Sequence, residues 1–66
     1  MEIDGEKLFK ARISHKPSLD RMELGSFLGV TYSRIQQLEK PGKHRINPHV
    51  LSALAKRLGV KQTDLI

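Results

Sequence analysis

A pattern that returns after 30 residues constrains this chain more than any other feature: Leu24, Leu28, Gly29 and Val30 reappear as Leu54, Leu58, Gly59 and Val60, and Ile35 corresponds to Leu65. Leucines four apart lie on one face of a helix, and a glycine directly after them supplies the positive φ of a helix end. The valine then turns back toward the core and a new helix begins. Two copies are too few for a solenoid, so the pattern predicts two tight helix-turn-helix corners inside one domain spanning residues 1–66. The two copies differ in the segments after them. Thr31 to Lys40 reads as a helix with a polar, hydrogen-bonding outer face, whereas the second corner is succeeded only by Gln62 to Ile66.

The remaining punctuation predicts an all-α chain of five helices. Asp4 is a candidate N-cap for a helix running to about Ser14, with Leu8, Ala11 and Arg12 on its inner face, and Pro17-Ser18 breaks it. Asp20-Arg21-Met22-Glu23 has a capping-box pattern and opens a second helix with Leu24, Phe27 and Leu28 inward. Thr31 caps the third, which Pro41-Gly42 stops, and Lys43-His44-Arg45-Ile46 reads as a basic loop. Asn47-Pro48 starts the fourth, with Val50 or Leu51, Leu54, Ala55 and Leu58 inward. A short fifth helix comes after Lys61. No strand pattern competes.

Sixty-six residues bury only about 60% of the unfolded chain's surface, which leaves little room for a deep catalytic pocket. Without cysteine, neither disulfides nor a thiolate zinc site can hold the domain. No apolar run approaches the roughly 18 residues of a membrane span, and the charged N-terminus does not read as a signal peptide, so a soluble cytoplasmic protein is expected. The net charge of +5 is unevenly placed. Residues 1–30 hold five Lys/Arg against five Asp/Glu, whereas residues 31–62 hold seven Lys/Arg and Glu39 alone. A one-sided basic face suits a polyanion; it also suits a solvated surface on a small protein, and charge alone leaves both open.

The third helix separates these readings. At 100° per residue, Ile35, Leu38 and Glu39 share one side. Ser33, Gln37 and Lys40 lie opposite, Arg34 and Gln36 flank them, and Tyr32 sits at the N-terminal tip. A helix that needs only solubility usually carries Glu/Lys pairs here, although glutamine is also simply a good helix former. Gln and Ser instead match donor and acceptor patterns on base edges, glutamine pairing bidentately with adenine N6/N7. Tyr32, Ser33, Gln36 and Gln37 are therefore candidate base contacts, and the basic segment after them is the natural companion on phosphate.

The motif Leu24-x-x-x-Leu28-Gly29-Val30-Thr31-x-x-x-Ile35-x-x-x-Glu39, continued by Asn47-Pro48-x-x-Leu51-x-x-Leu54-Ala55-x-x-Leu58-Gly59-Val60-x-x-x-x-Leu65, resembles the Cro/C1-type (Xre-type) helix-turn-helix of phage and bacterial repressors. The resemblance covers residues 8–66. It implies a five-helix, lambda-repressor-like DNA-binding domain with its helix-turn-helix at about 21–40. Residues 32–39 would enter the major groove of double-stranded DNA, and a homodimer would bind a palindromic operator. By the same resemblance Arg21, Arg34, Lys40, Lys43, His44 and Arg45 fall where phosphates are contacted. Arg12 and Glu39 match a pair that forms a structural ion pair in many members; the lesser alternative for Arg12 is an exposed phosphate contact. The chain departs from the pattern at Gly25, where most members have alanine, in a longer His15–Leu19 connection, and in Pro41 ahead of Gly42.

The expected function is a sequence-specific transcriptional repressor. Its rivals are an antitoxin-like protein-interaction module on the same fold and the DNA-binding head of a longer repressor. Nothing points to an enzyme, a cofactor or a metal. His44 and His49 are the only close histidines, with no cysteine or paired acid beside them. Lys40-Pro41-Gly42-Lys43 lacks P-loop spacing, and Gly25-x-x-x-Gly29 has no apolar segment around it. Leu65-Ile66 and the fourth helix are the candidate pairing surface of a dimer.

Overall fold

A computed structural model describes residues 1–66, which measure 27 × 22 × 21 Å. The elements run β1 (Glu2–Asp4), α1 (Gly5–Ile13), α2 (Arg21–Leu28), α3 (Tyr32–Leu38), β2 (Lys43–Arg45) and α4 (Pro48–Leu58), ending in a 3₁₀ turn at Gln62–Leu65. Side-chain caps start each helix. Asp4 accepts from the Glu6 and Lys7 amides, Asp20 from Glu23, Thr31 from Arg34 and Asn47 from His49. These bonds from backbone N–H groups, first that of Lys7, hold the Asp4 carboxyl below its ordinary value. Both leucine corners close alike: Gly29 and Gly59 adopt φ of 72° and 71°, and the valine amides return to Gly25 and Ala55 at 2.9 and 3.0 Å.

The core gathers Leu8 of α1, Leu24 of α2, Ile35 and Leu38 of α3, and Leu51, Leu54, Ala55 and Leu58 of α4. Ile3, Leu19, Ile46 and Leu65, all outside the α-helices, complete it. No helix is long and apolar enough to cross a membrane.

The structure corrects four expectations. First, the chain is mostly helical but not all-α, because β1 and β2 form an antiparallel pair with Ile3 opposite His44. The segment read as a basic loop is thus a strand. Its pairing partner lies some forty residues away, and three residues are too few to show a two-residue period. Second, there are four α-helices; the expected fifth is the 3₁₀ turn, and the Asp64 carboxylate meets the Lys61 amide at its start. Third, Phe27 is not inward but 54% exposed, because Leu24 and Gly25 occupy the buried face of α2; the Arg57 guanidinium lies 5.8 Å from the Phe27 ring centroid. Fourth, Leu65 lies entirely within the chain's own core and is closed to a partner; Ile66 beside it stays accessible.

Two glycines are set by close approach. A Cβ on Gly25 would sit 2.8 Å from the Val30 carbonyl oxygen, which explains why alanine is missing from this α2 position. At Gly5 it would lie 1.8 Å from the Lys40 carbonyl oxygen, with the Gly5 amide bonded to Gly42 at 2.9 Å. The start of α1 therefore rests directly on the chain leaving α3. Gly5→Ala should cost about 1–3 kcal/mol or more, since neither backbone can yield without shifting an element. Gly42→Ala has open space around the new methyl and meets only the strain of positive φ. Urea denaturation of the two variants measures the difference; equal midpoints would show that the α1–α3 contact has slack.

Candidate nucleic-acid interface

Burial of Ile35 and Leu38 turns Tyr32, Ser33, Arg34, Gln36, Gln37 and Lys40 outward along α3 and its C-terminal end. Two adjoining shallow grooves cover this face. Ser33, Gln36 and Gln37 line one; Lys43, His44 and Arg45 of β2 line the other; Arg34, Gln37 and Lys40 belong to both. Ser33, Gln36 and Gln37 thus share one continuous surface with the cationic candidates of residues 34–45, whereas Tyr32 lines neither groove, and no acidic or aliphatic side chain lines either one.

Several of these side chains are tied down. Arg34 donates to the Gln37 side-chain oxygen at 3.4 Å and to the Arg45 carbonyl at 3.2 Å, bridging α3 to β2. A ring N–H of His44 donates to the Lys40 carbonyl at 2.7 Å. Lys43 donates to the Ile66 carbonyl at 2.8 Å, and its ammonium lies 3.7 Å from the Asp4 carboxylate. Ser33, Gln36, Lys40 and Arg45 have side chains without a partner inside the fold. The register also sets Glu2 opposite Arg45. Sequence reasoning missed this acidic strand beside the cations. Its signal was the alternation Glu2-Ile3-Asp4, with the apolar residue buried between two acids.

Arg12 and Arg21 lie behind α3 and converge on Glu39, whose side chain is 2% exposed. Arg12 grips both carboxylate oxygens, through Nε and, at 3.1 Å, through Nη2, and donates a third bond to the Leu19 carbonyl at 3.2 Å. Arg21 donates through Nε to the same carboxylate at 2.9 Å and through Nη1 to the Tyr32 hydroxyl at 3.4 Å. The Glu39 bond, then the Tyr32 bond, raise the Arg21 pKa above the ordinary guanidinium value. A carboxylate at a helix C-terminus faces the negative end of the helix dipole. Two guanidiniums offset that here, and no buried side-chain polar atom is left without a partner. Arg21, expected on phosphate, is thus held within the fold, although its side chain remains 26% exposed.

Glu39→Gln would leave two guanidiniums without a counter-charge, one of them only 12% exposed. Removing one side of a buried pair costs about 3–5 kcal/mol, comparable to the whole stability expected of a core this small. Urea titration should find Glu39→Gln close to unfolded in water; a loss below about 1 kcal/mol would class the cluster with surface ion pairs.

Neither a protein-family model nor a curated protein sequence matches this chain.

Proposed function

We propose that the chain is a sequence-specific DNA-binding domain of lambda-repressor-like build, in which α2 braces the duplex backbone and α3 lies in the major groove. One observation carries this reading: the outer face of α3 presents Ser33, Gln36, Gln37 and Lys40 in a surface continuous with the cationic strand β2. Chemistry divides the labour among them. Ser33 and the two glutamines offer hydrogen bonds with base specificity, whereas Lys40, Lys43 and Arg45 offer charge with none. Arg34 links the two sets. Its bond to the Gln37 oxygen leaves the Gln37 amide N–H groups to point at acceptors on bases. The regulatory role proposed is repression, by a homodimer on a two-fold operator.

A second reading, a protein-interaction module of the antitoxin kind, draws on the apolar side chains of α2. Met22 is 67% exposed and Phe27 is half-exposed, both outside the α3 surface. A protein partner would be expected to cover that side of the domain.

Three measurements test the proposal. Gln37→Ala and Ser33→Ala should each weaken binding to a selected operator by about 1–3 kcal/mol while barely changing binding to random duplex; equal losses on both would remove base reading from α3. Lys43→Ala and Arg45→Ala should weaken binding uniformly, each flattening the slope of log K against log[salt] by about one unit. Unchanged slopes would take β2 off the phosphates and favour the interaction module. Sedimentation equilibrium with a footprint should find a free monomer or weak dimer that occupies two half-sites about 34–36 Å apart. One protected half-site at one-to-one stoichiometry would rule out the dimeric repressor while leaving DNA binding intact.

A further inference from the structure

We infer that Arg21 is a positioning residue for base reading: it fixes the Tyr32 ring at the tip of α3 and makes the phenol a hydrogen-bond donor aimed at an acceptor on a base edge. The inference rests on the duplex-binding reading above and specifies which edges this corner of the surface selects.

Arg21 is the first residue of α2 and Tyr32 the first of α3, so the clamp spans the mouth of the corner between the two helices. The guanidinium plane is anchored first, by the 2.9 Å bond from Nε to the buried Glu39 carboxylate. From there Nη1 reaches the Tyr32 oxygen at 3.4 Å, and the guanidinium carbon lies 5.9 Å from the ring centroid, within cation–π range. Tyr32 itself is 46% exposed, with one side held by Arg21 and the rest open. Holding the ring beforehand removes rotamer freedom that would otherwise be lost on binding.

The polarity of the clamp sets the chemistry. A guanidinium donates only, whereas a phenol has one hydrogen to donate and lone pairs to accept with. Arg21 occupies an acceptor position on the Tyr32 oxygen and leaves the phenolic hydrogen free. In the major groove that hydrogen matches guanine N7 and O6, adenine N7 and thymine O4, and it finds no partner at the cytosine N4 amino group. Tyr32 should therefore select against cytosine at the single position it reaches, and should do so through Arg21.

The test begins with selection of bound fragments from randomised duplexes by the wild-type chain, then scores each base at each selected position for Arg21→Gln, Tyr32→Phe and the double variant. One position should disfavour cytosine about tenfold in the wild type. Each single variant should relax that position, and the double variant should relax it no further than either. Tyr32→Phe keeps the Arg21–Glu39 bond, so it reports on reading apart from stability. Because the chain has one tyrosine and no tryptophan, tyrosine fluorescence anisotropy reports on Tyr32 alone, and it should fall in free Arg21→Gln. Unchanged anisotropy would overturn the clamp. Uniform weakening by Arg21→Gln on every duplex, with a shallower salt slope and intact base preferences, would make Arg21 a phosphate contact and overturn the positioning role. A folded wild-type chain that binds no duplex would overturn the proposed function itself, with the anisotropy difference still showing whether the clamp exists.

Discussion

The carboxylate of Glu39 is the point on which the arrangement of the first three helices turns. It sits at the end of α3, where the helix dipole alone would disfavour it, and is stabilised by Arg12 from α1 and Arg21 from α2. Three helices that already meet through Leu8, Leu24, Ile35 and Leu38 are thereby locked in one relative orientation. The Arg12 bond to the Leu19 carbonyl extends the lock to the connection between α1 and α2. A purely apolar junction here could be as stable, since buried ion pairs gain little net energy once desolvation is counted. Such a junction would tolerate sliding, whereas a guanidinium bonded to both oxygens of a carboxylate does not. The orientation of α3 relative to α2 decides which side chains its outer face presents, so under the proposed duplex-binding reading the cluster would act through geometry.

The β1–β2 pair fixes the other end of α3. Met1 accepts from the Ile46 amide, β1 pairs with β2, and Gly5 then brings the α1 backbone against the Lys40 carbonyl. The chain leaving α3 is consequently held on both sides, which fixes where β2 places Lys43 and Arg45 relative to Gln37. The same pairing brings Glu2 and Asp4 beside those cations. Glu2 lies across from Arg45 and Asp4 across from Lys43, so the two acids reduce the charge of β2 and leave Lys40 as a cation of this surface with no acid opposite it.

How legible the molecule was in its sequence depends on the range of the forces involved. The α-helix starts and ends were readable because caps and C-terminal glycines act within four residues: Asp4, Asp20, Thr31, Asn47, Gly29 and Gly59 all stand where the local chemistry puts them. The helix core was readable from leucine spacing. The strands were not, because a three-residue strand exists only through a partner distant in the chain, and Lys43-His44-Arg45 has the composition of a loop. Phe27 misled for a related reason. Its spacing from Leu24 suits an inner face, but Gly25 claims that face by letting Val30 and Thr31 approach, and the phenyl ring is left under Arg57. At the candidate interface, the sequence placed the polar residues of α3 on one face yet could not show which of them are committed within the fold.

That division between committed and free side chains bears on how such a small surface could discriminate. Arg34 and Tyr32 are each held by an internal bond, whereas Ser33, Gln36, Lys40 and Arg45 are free. Held groups give up little conformational entropy on binding and reject a ligand whose polar edge does not match, because a fixed donor cannot rotate away from a mismatch. Free groups adapt to whatever they meet and contribute affinity with less selectivity. Donors held at both ends of α3, by Arg21 at the N-terminal tip and by Arg34 toward β2, would set the register of a bound duplex. Ser33 and Gln36 between them and Lys40 beyond, whose side chains have no partner in the fold, would then complete its contacts.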